Sequence, residues 1–339
     1  MKQNRKVPKP PRDLRAVIHK KPTVFAVYLI LRIVVLLTLV SSIIRGEYEN
    51  AFVCLLVLFL FLYAPIFVLI VFSFNESKSN AVWGGFTLNW YAELFQNRSV
   101  LGALQTTILV SVLATLIATV AGTAAAIGFS KMRRRSRNFL LTVNNIPLTN
   151  ADIITGVSMM LLFVFAGQAL SGLSDWLNHT QWAVDQNLWF DFGFSLGFPT
   201  LLIAHITFDI PYVILSVMPK IRQLDPNLAE AAQDLGATPM TAFRKVVLPE
   251  LMPGIVNGML IAFTMSVDDF VISYFTAGSQ VSTLSMEVYS MVRRKVSPEI
   301  NALSTLMFVA VLALLIIINL RQARQEAARA RDRRAAGRS

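Results

Sequence analysis

Four acidic residues stand inside or at the edge of strongly apolar stretches: Asp152, Asp209 and the adjacent pair Asp268 and Asp269. A carboxylate that has exchanged water for hydrocarbon is costly, and by default it marks a cavity, a partner or a functional path. A series of such carboxylates favours an extended organic cation as the species they meet. Trp83, Trp90 and Tyr274 lie near the ends of apolar runs. They offer ring faces for cation–π contact, and the same rings suit an interfacial aromatic belt. A structural role stands beside each acid. Asp268 and Asp269 can make helix bonds or touch a partner. Asp209, four residues after His205, can cap or pair with that imidazole.

Other chemistry has little support. The single cysteine, Cys54, gives no intramolecular disulfide and no thiol metal cluster. His19, His179 and His205 are far apart, without metal-ligand spacing. There is no Walker sequence, no glycine-rich phosphate loop and no nucleophilic serine elbow. The sequence predicts no catalysis and no cofactor of its own. If it serves active transport, ATP and Mg are bound by another chain.

Composition indicates the scaffold. Of 339 residues, 55% are hydrophobic and only 15% charged, with mean hydropathy +0.56. That is too apolar for a soluble domain and predicts an all-α polytopic membrane protein. The net charge of +11 could suit nucleic acid. The basic residues, however, gather at the two ends and in one short loop, which fits the positive-inside rule and a lipid bilayer as partner. Apolar runs at 51–72, 100–129, 139–165, 196–217, 254–275 and 302–320 predict six core spans. The third of these is expected to be irregular near Pro147. Residues 172–192, with Trp176, Trp182 and Trp189, read as an external loop. Ala114, Ala118, Gly122 and Ala126 recur every four residues, either as a small-residue seam or as ordinary alanine abundance.

Orientation follows from charge. Residues 131–137 carry Lys131, Arg133, Arg134, Arg135 and Arg137, and belong in the cytosol. With that loop inside, the polar segment 224–253 and the basic tail 321–339 also fall inside. The basic, proline-containing tail 1–21 belongs there too. The apolar run 23–44 breaks this parity if it spans, and Arg32 sits in its middle. A mid-bilayer Arg costs roughly 2.5–3.5 kcal/mol. This run is therefore expected along the cytosolic interface or dipping in and returning, with a seventh span as the alternative. Arg293, Arg294 and Lys295 fall on the outer side against the rule, where Glu287 and Glu299 can offset them. The expected organisation is a tail and extra apolar helix at 1–50, a core at 51–320 containing a cytosolic loop at 224–250, and a basic tail at 321–339.

That loop is the most structured polar stretch in the chain. Asp225 can cap a first short helix with Pro226 in its first position. Gly236 can end it in the left-handed conformation. Thr238 and Pro239 repeat the cap-then-proline start, and Pro249 is expected to close the second helix. The product is an amphipathic elbow suited to a soluble partner. A DNA-binding helix-turn-helix is the rival, and its tether between two spans argues against it.

The elbow also resembles a known pattern. Glu230-Ala231-Ala232, Gly236 and Val246-x-Leu248-Pro249 resemble the EAA loop of ABC importer permeases. Asn75-x-Ser77, Trp83-x-Gly85-Phe86, Trp90-Tyr91, Ser266-x-Asp268-Asp269 and the stretch 296–303 extend the resemblance to the spermidine/putrescine type, closest to the second of its two permeases. The resemblance implies a type I importer transmembrane domain of the bacterial inner membrane, with six core spans plus an N-terminal apolar helix. It implies an ABC ATPase dimer coupled through Glu230, Ala231, Ala232, Leu235, Gly236, Ala237 and Pro249. It further implies a second related permease subunit and a periplasmic substrate-binding protein. Asp152, Asp268 and Asp269 match family acids expected along the cation route; Asp209 falls where the family has no expected acid. Related permeases carry other small organic solutes or iron complexes. A passive channel is the alternative from another class, and it leaves the elbow without a purpose.

Overall fold

The computed structural model describes residues 48–77, 82–180, 195–294 and 298–336. The tail 1–21, the apolar run 23–44, Trp182, Trp189 and Lys295 lie outside the described residues. The chain divides into two units, Met1–Phe72 and Ser73–Ser339. In the first, helix α1 (Tyr48–Phe72) is an almost uninterrupted apolar run with Pro65 inside it, and Phe59 and Tyr63 stack along it at 6.0 Å.

The second unit is a helical bundle. Its elements are α2 (Asn89–Gln96), α3 (Arg98–Lys131), α4 (Arg134–Thr149), α5 (Asp152–Asn178) and α6 (Phe198–Gln223), then α7 (Leu228–Asp234) and α8 (Pro239–Asp268). The short α9 (Val271–Thr276), α10 (Leu284–Arg294) and the long α11 (Pro298–Ala336) follow. Among the described residues, six helices are long and apolar enough to cross a membrane: α1, α3, α5, α6, α8 and α11. This is the number of core spans expected.

Small residues set how closely the central helices approach. Ala114, Ala118, Gly122 and Ala126 all lie buried on one stripe of α3, so the seam is real. A Cβ on Gly122 would stand 2.8 Å from Val213 Cβ and 3.2 Å from the Ile210 carbonyl oxygen of α6. Gly258 meets Val213 from the α8 side, where a Cβ would lie 3.1 Å from its Cα. Val213 is thus clasped between two glycines. Around it Ala126, Ile214, Val217, Leu251, Ile255 and Ala262 form a shared core of α3, α6 and α8.

The expected span at 139–165 is corrected. Asn150 and Ala151 are extended, at ψ 154° and 133°, and split this stretch into α4 and α5. Helix α4 begins with Arg134, Arg135 and Arg137, carries Asn144 and Asn145, and buries no residue fully. At 16 residues and with that composition it is not long and apolar enough to cross a membrane. The span is α5 alone, and it runs to Asn178, so residues 172–178 of the expected external loop are helical.

Candidate functional site

The acids meet where a spanning helix stops. Helix α8 ends at Asp268, Asp269 is extended (φ −65°, ψ 125°), and α9 starts two residues later. Asp269 caps α9: its Oδ1 accepts from the Ile272 amide at 3.2 Å and its Oδ2 from the Ser273 amide at 2.7 Å. A carboxylate there satisfies amides that a helix start leaves unpaired. Ser273 Oγ donates to the same Oδ2 at 2.9 Å. Having given its proton, that hydroxyl accepts from His205 Nε2–H at 3.0 Å. Nδ1 makes a hydrogen bond with Ser266 Oγ at 2.7 Å. The His205 imidazole also lies 3.6 Å from Asp269 Oδ2. One buried imidazole thus ties α6 to both sides of the α8–α9 break.

His205 therefore pairs with Asp269, not with Asp209 as the four-residue spacing allowed. The imidazole reaches across to the break, where two hydroxyls and a carboxylate complement it. Asp209 is fully buried, and neither carboxylate oxygen has a hydrogen-bond partner among the described residues. Asp269 lies within electrostatic range of both Asp209 and Asp268. Asp152, exposed at the start of α5, shares Tyr212 with Asp209 as an electrostatic neighbour. Gly156, one turn on, packs against Phe275 and Ile272 of the α9 segment. The structure brings all four predicted acids around the break: Asp268 and Asp152 exposed, Asp269 engaged in capping, Asp209 sealed inside.

One polar feature was missed in the sequence. The hydroxyls of Ser111, Thr115, Thr119 and Thr123 are buried and without hydrogen-bond partners among the described residues. They recur every four residues on α3, so they form a ladder along one side of it. Along α3, Val110 shares a buried cluster with Leu201 and Gly122 packs on Val213. The four-residue spacing was visible in the sequence, but hydroxyls in an apolar run carry no charge signal.

The elbow occupies the opposite end of α8. Asp225 Oδ1 accepts from the Asn227 amide at 2.9 Å, so the first helix starts at Leu228, two residues later than expected. Gly236 has φ +86°. Its amide donates to Gln233 O at 2.8 Å, and the Ala237 amide donates to Ala232 O at 3.1 Å, the paired pattern of a glycine-terminated helix. Thr238 Oγ1 accepts from the Thr241 amide at 3.3 Å with Pro239 next in the helix. Pro249 does not close the second helix. A widened turn at Phe243–Val247 lies within α8, and the helix runs on through Pro249. A proline ring clashes with the carbonyl four residues back, and a widened turn relieves that clash. Glu230, Ala231 and Pro249 are exposed, Ala232 and Ala237 half-buried. Leu235 is 91% exposed and Met240 65%, an apolar tip of the kind that marks an interaction surface.

A family model described as "Binding-protein-dependent transport system inner membrane component" matches residues 114–331. The putrescine transport system permease protein PotI of Escherichia coli is 39% identical over 281 residues, covering 83% of this chain and 93% of that protein. The spermidine/putrescine transport system permease protein PotC of Haemophilus influenzae is 34% identical over 272 residues, covering 80% and 95%. Among solved structures, a bacterial ABC transporter involved in the import of the acidic polysaccharide alginate aligns with TM-score 0.59 at 18% identity, over 84% of this chain and 98% of that one. That similarity concerns the fold.

Proposed function

The chain belongs to the family of inner membrane components of binding-protein-dependent transport systems, and from that membership we propose that it imports polyamines as one permease of a two-permease pair. It is a multi-pass membrane permease, not an enzyme. A periplasmic binding protein delivers the cation, and a separate ATPase dimer binds ATP and Mg. The 131–137 loop, the elbow and the C-terminal tail face the cytosol. The names of the relatives support putrescine or spermidine as cargo.

The observation that carries the mechanism is the continuity of α8. Its 30 residues extend about 45 Å at the ordinary helical rise, from the exposed Leu235–Met240 tip to Asp268. The elbow, Glu230 through Gly236 to Pro249, seats on the ATPase. Closure of the ATPase dimer displaces it, and the rigid helix carries that displacement to the α8–α9 break. There Asp268, Asp269 and Asp152 meet the cation, and Asp209 is uncovered as the helices rock.

Uptake of labelled putrescine by the assembled transporter in proteoliposomes, with Asp268→Asn beside the unchanged chain, tests this. The variant is expected to lose most uptake while keeping assembly with the ATPase. Unchanged uptake by Asp268→Asn removes the acid-lined route, and solute flux without ATP removes the coupled mechanism.

A further inference from the structure

Beyond the α8–α9 break, at the end of the bundle away from the elbow, lies a cavity of about 510 Å³ lined by Tyr274, Tyr289, Glu287, Arg293 and serine hydroxyls. Its size is that of a small-molecule site. Its two tyrosines belong to a larger cluster of rings. Phe270, the residue after Asp269, lies 4.6 Å from the Tyr289 ring and 5.5 Å from the Tyr274 ring. Tyr274 in turn lies 6.3 Å from Tyr289 and 5.5 Å from Phe275. The rings are in contact with one another from Tyr289 and Tyr274 in the cavity wall to Phe270 beside Asp269.

A cation already stands against these rings. The Arg293 guanidinium stands 5.5 Å from the centroid of the Tyr289 ring, within cation–π range. Glu287 lines the same cavity, its Oε1 accepting from Ser99 Oγ at 3.1 Å. Arg293 and Glu287 thus bring one cation and one carboxylate to the same cavity. Arg293 is exposed on a long flexible stem, and if it swings away it leaves the Tyr289 π face open in the cavity that the Glu287 carboxylate also lines. Both of these attract a primary ammonium. The arrangement also accounts for an arginine on the side that the positive-inside rule disfavours: it stands in for the cargo.

We infer that this cavity is an entry station for the organic diamine, where Tyr289 and Glu287 hold one ammonium group and Arg293 is an internal cation that the diamine displaces. This rests on the polyamine reading above. From here the ring cluster leads the cation to Asp268 and Asp269.

The test uses the complete transporter, permease pair with ATPase, in nanodiscs. Equilibrium dialysis with labelled putrescine is run for the unchanged chain, Tyr289→Leu, Glu287→Gln and Arg293→Gln, with basal ATPase activity as the check of assembly. Tyr289→Leu is expected to weaken binding about tenfold, the size of one partly desolvated cation–π contact. Glu287→Gln shifts in the same direction. Arg293→Gln shifts the opposite way and tightens binding, which a merely structural role would not produce. If the unchanged transporter imports putrescine but Tyr289→Leu and Glu287→Gln bind it as before, the entry station is overturned and the polyamine reading stands. Weaker binding by Arg293→Gln overturns the displacement. If the unchanged transporter imports no polyamine, both readings end.

Discussion

Replacing Gly236 separates two reasons for needing a glycine in the elbow. Its φ of +86° is a left-handed conformation, and a Cβ added there would meet nothing within 4 Å. Within this chain, then, the cost of a side chain is conformational alone. For alanine that is about 1–2 kcal/mol, or roughly a five- to thirtyfold loss in the population of the native bend. Asparagine and aspartate visit this conformation more readily, so they bend at lower cost than alanine. If only the bend mattered, coupling would rank glycine first, asparagine and aspartate next, alanine last. If the open space beside Gly236 is where the ATPase closes in, asparagine and aspartate lose coupling despite bending well, and aspartate loses it entirely. We expect the second order. The assay is ATPase activity stimulated by loaded binding protein, with uptake measured in parallel. Thermal stability should fall by no more than that local conformational cost of about 1–2 kcal/mol, because no packed neighbour is disturbed. Normal coupling by Gly236→Asp in a correctly inserted complex would refute the seating of the elbow.

The other predictions concern the bundle. Gly278→Ala combines φ +69° with a Cβ 2.5 Å from the Leu196 carbonyl oxygen; it should cost about 3 kcal/mol or more, and a normal yield of monodisperse complex would contradict it. His205→Ala strands Ser266 and removes the imidazole from Asp269 and Ser273, at about 1–3 kcal/mol for each buried polar group left unsatisfied; a thermal melt at the unchanged midpoint would count against the cross-tie. Asp209→Asn relieves a buried carboxylate without partners and should raise the melting midpoint by an amount equivalent to about 1 kcal/mol, while lowering uptake if that acid meets the cation in transit. Gly122→Val should fail to assemble, since its Cβ alone would stand 2.8 Å from Val213 Cβ and 3.2 Å from the Ile210 carbonyl oxygen, and a folded variant would mean that α3 and α6 part more easily than their clasp implies.

The sequence by itself determined the class, the number of core spans and the elbow. Those rest on local signals: runs of apolar residues long enough for a bilayer, and cap, proline and glycine positions that act on the nearest few backbone groups. The Gly236 bend and the Thr238 cap stand where their residue types put them. The tertiary structure alone decided the fate of the polar groups inside the bundle. Spacing allowed His205 to serve Asp209 one turn away, yet across the helix it found Ser266, Ser273 and Asp269. Pro249 looked like a stop and became part of α8, because the widened turn before it relieved the clash. Nor could spacing show that Arg293 rests on Tyr289, or that α4 lies apart from the span that follows it. Such outcomes depend on which helices pack together and at what register, and that is settled by glycines and alanines too small to announce themselves in a hydropathy profile.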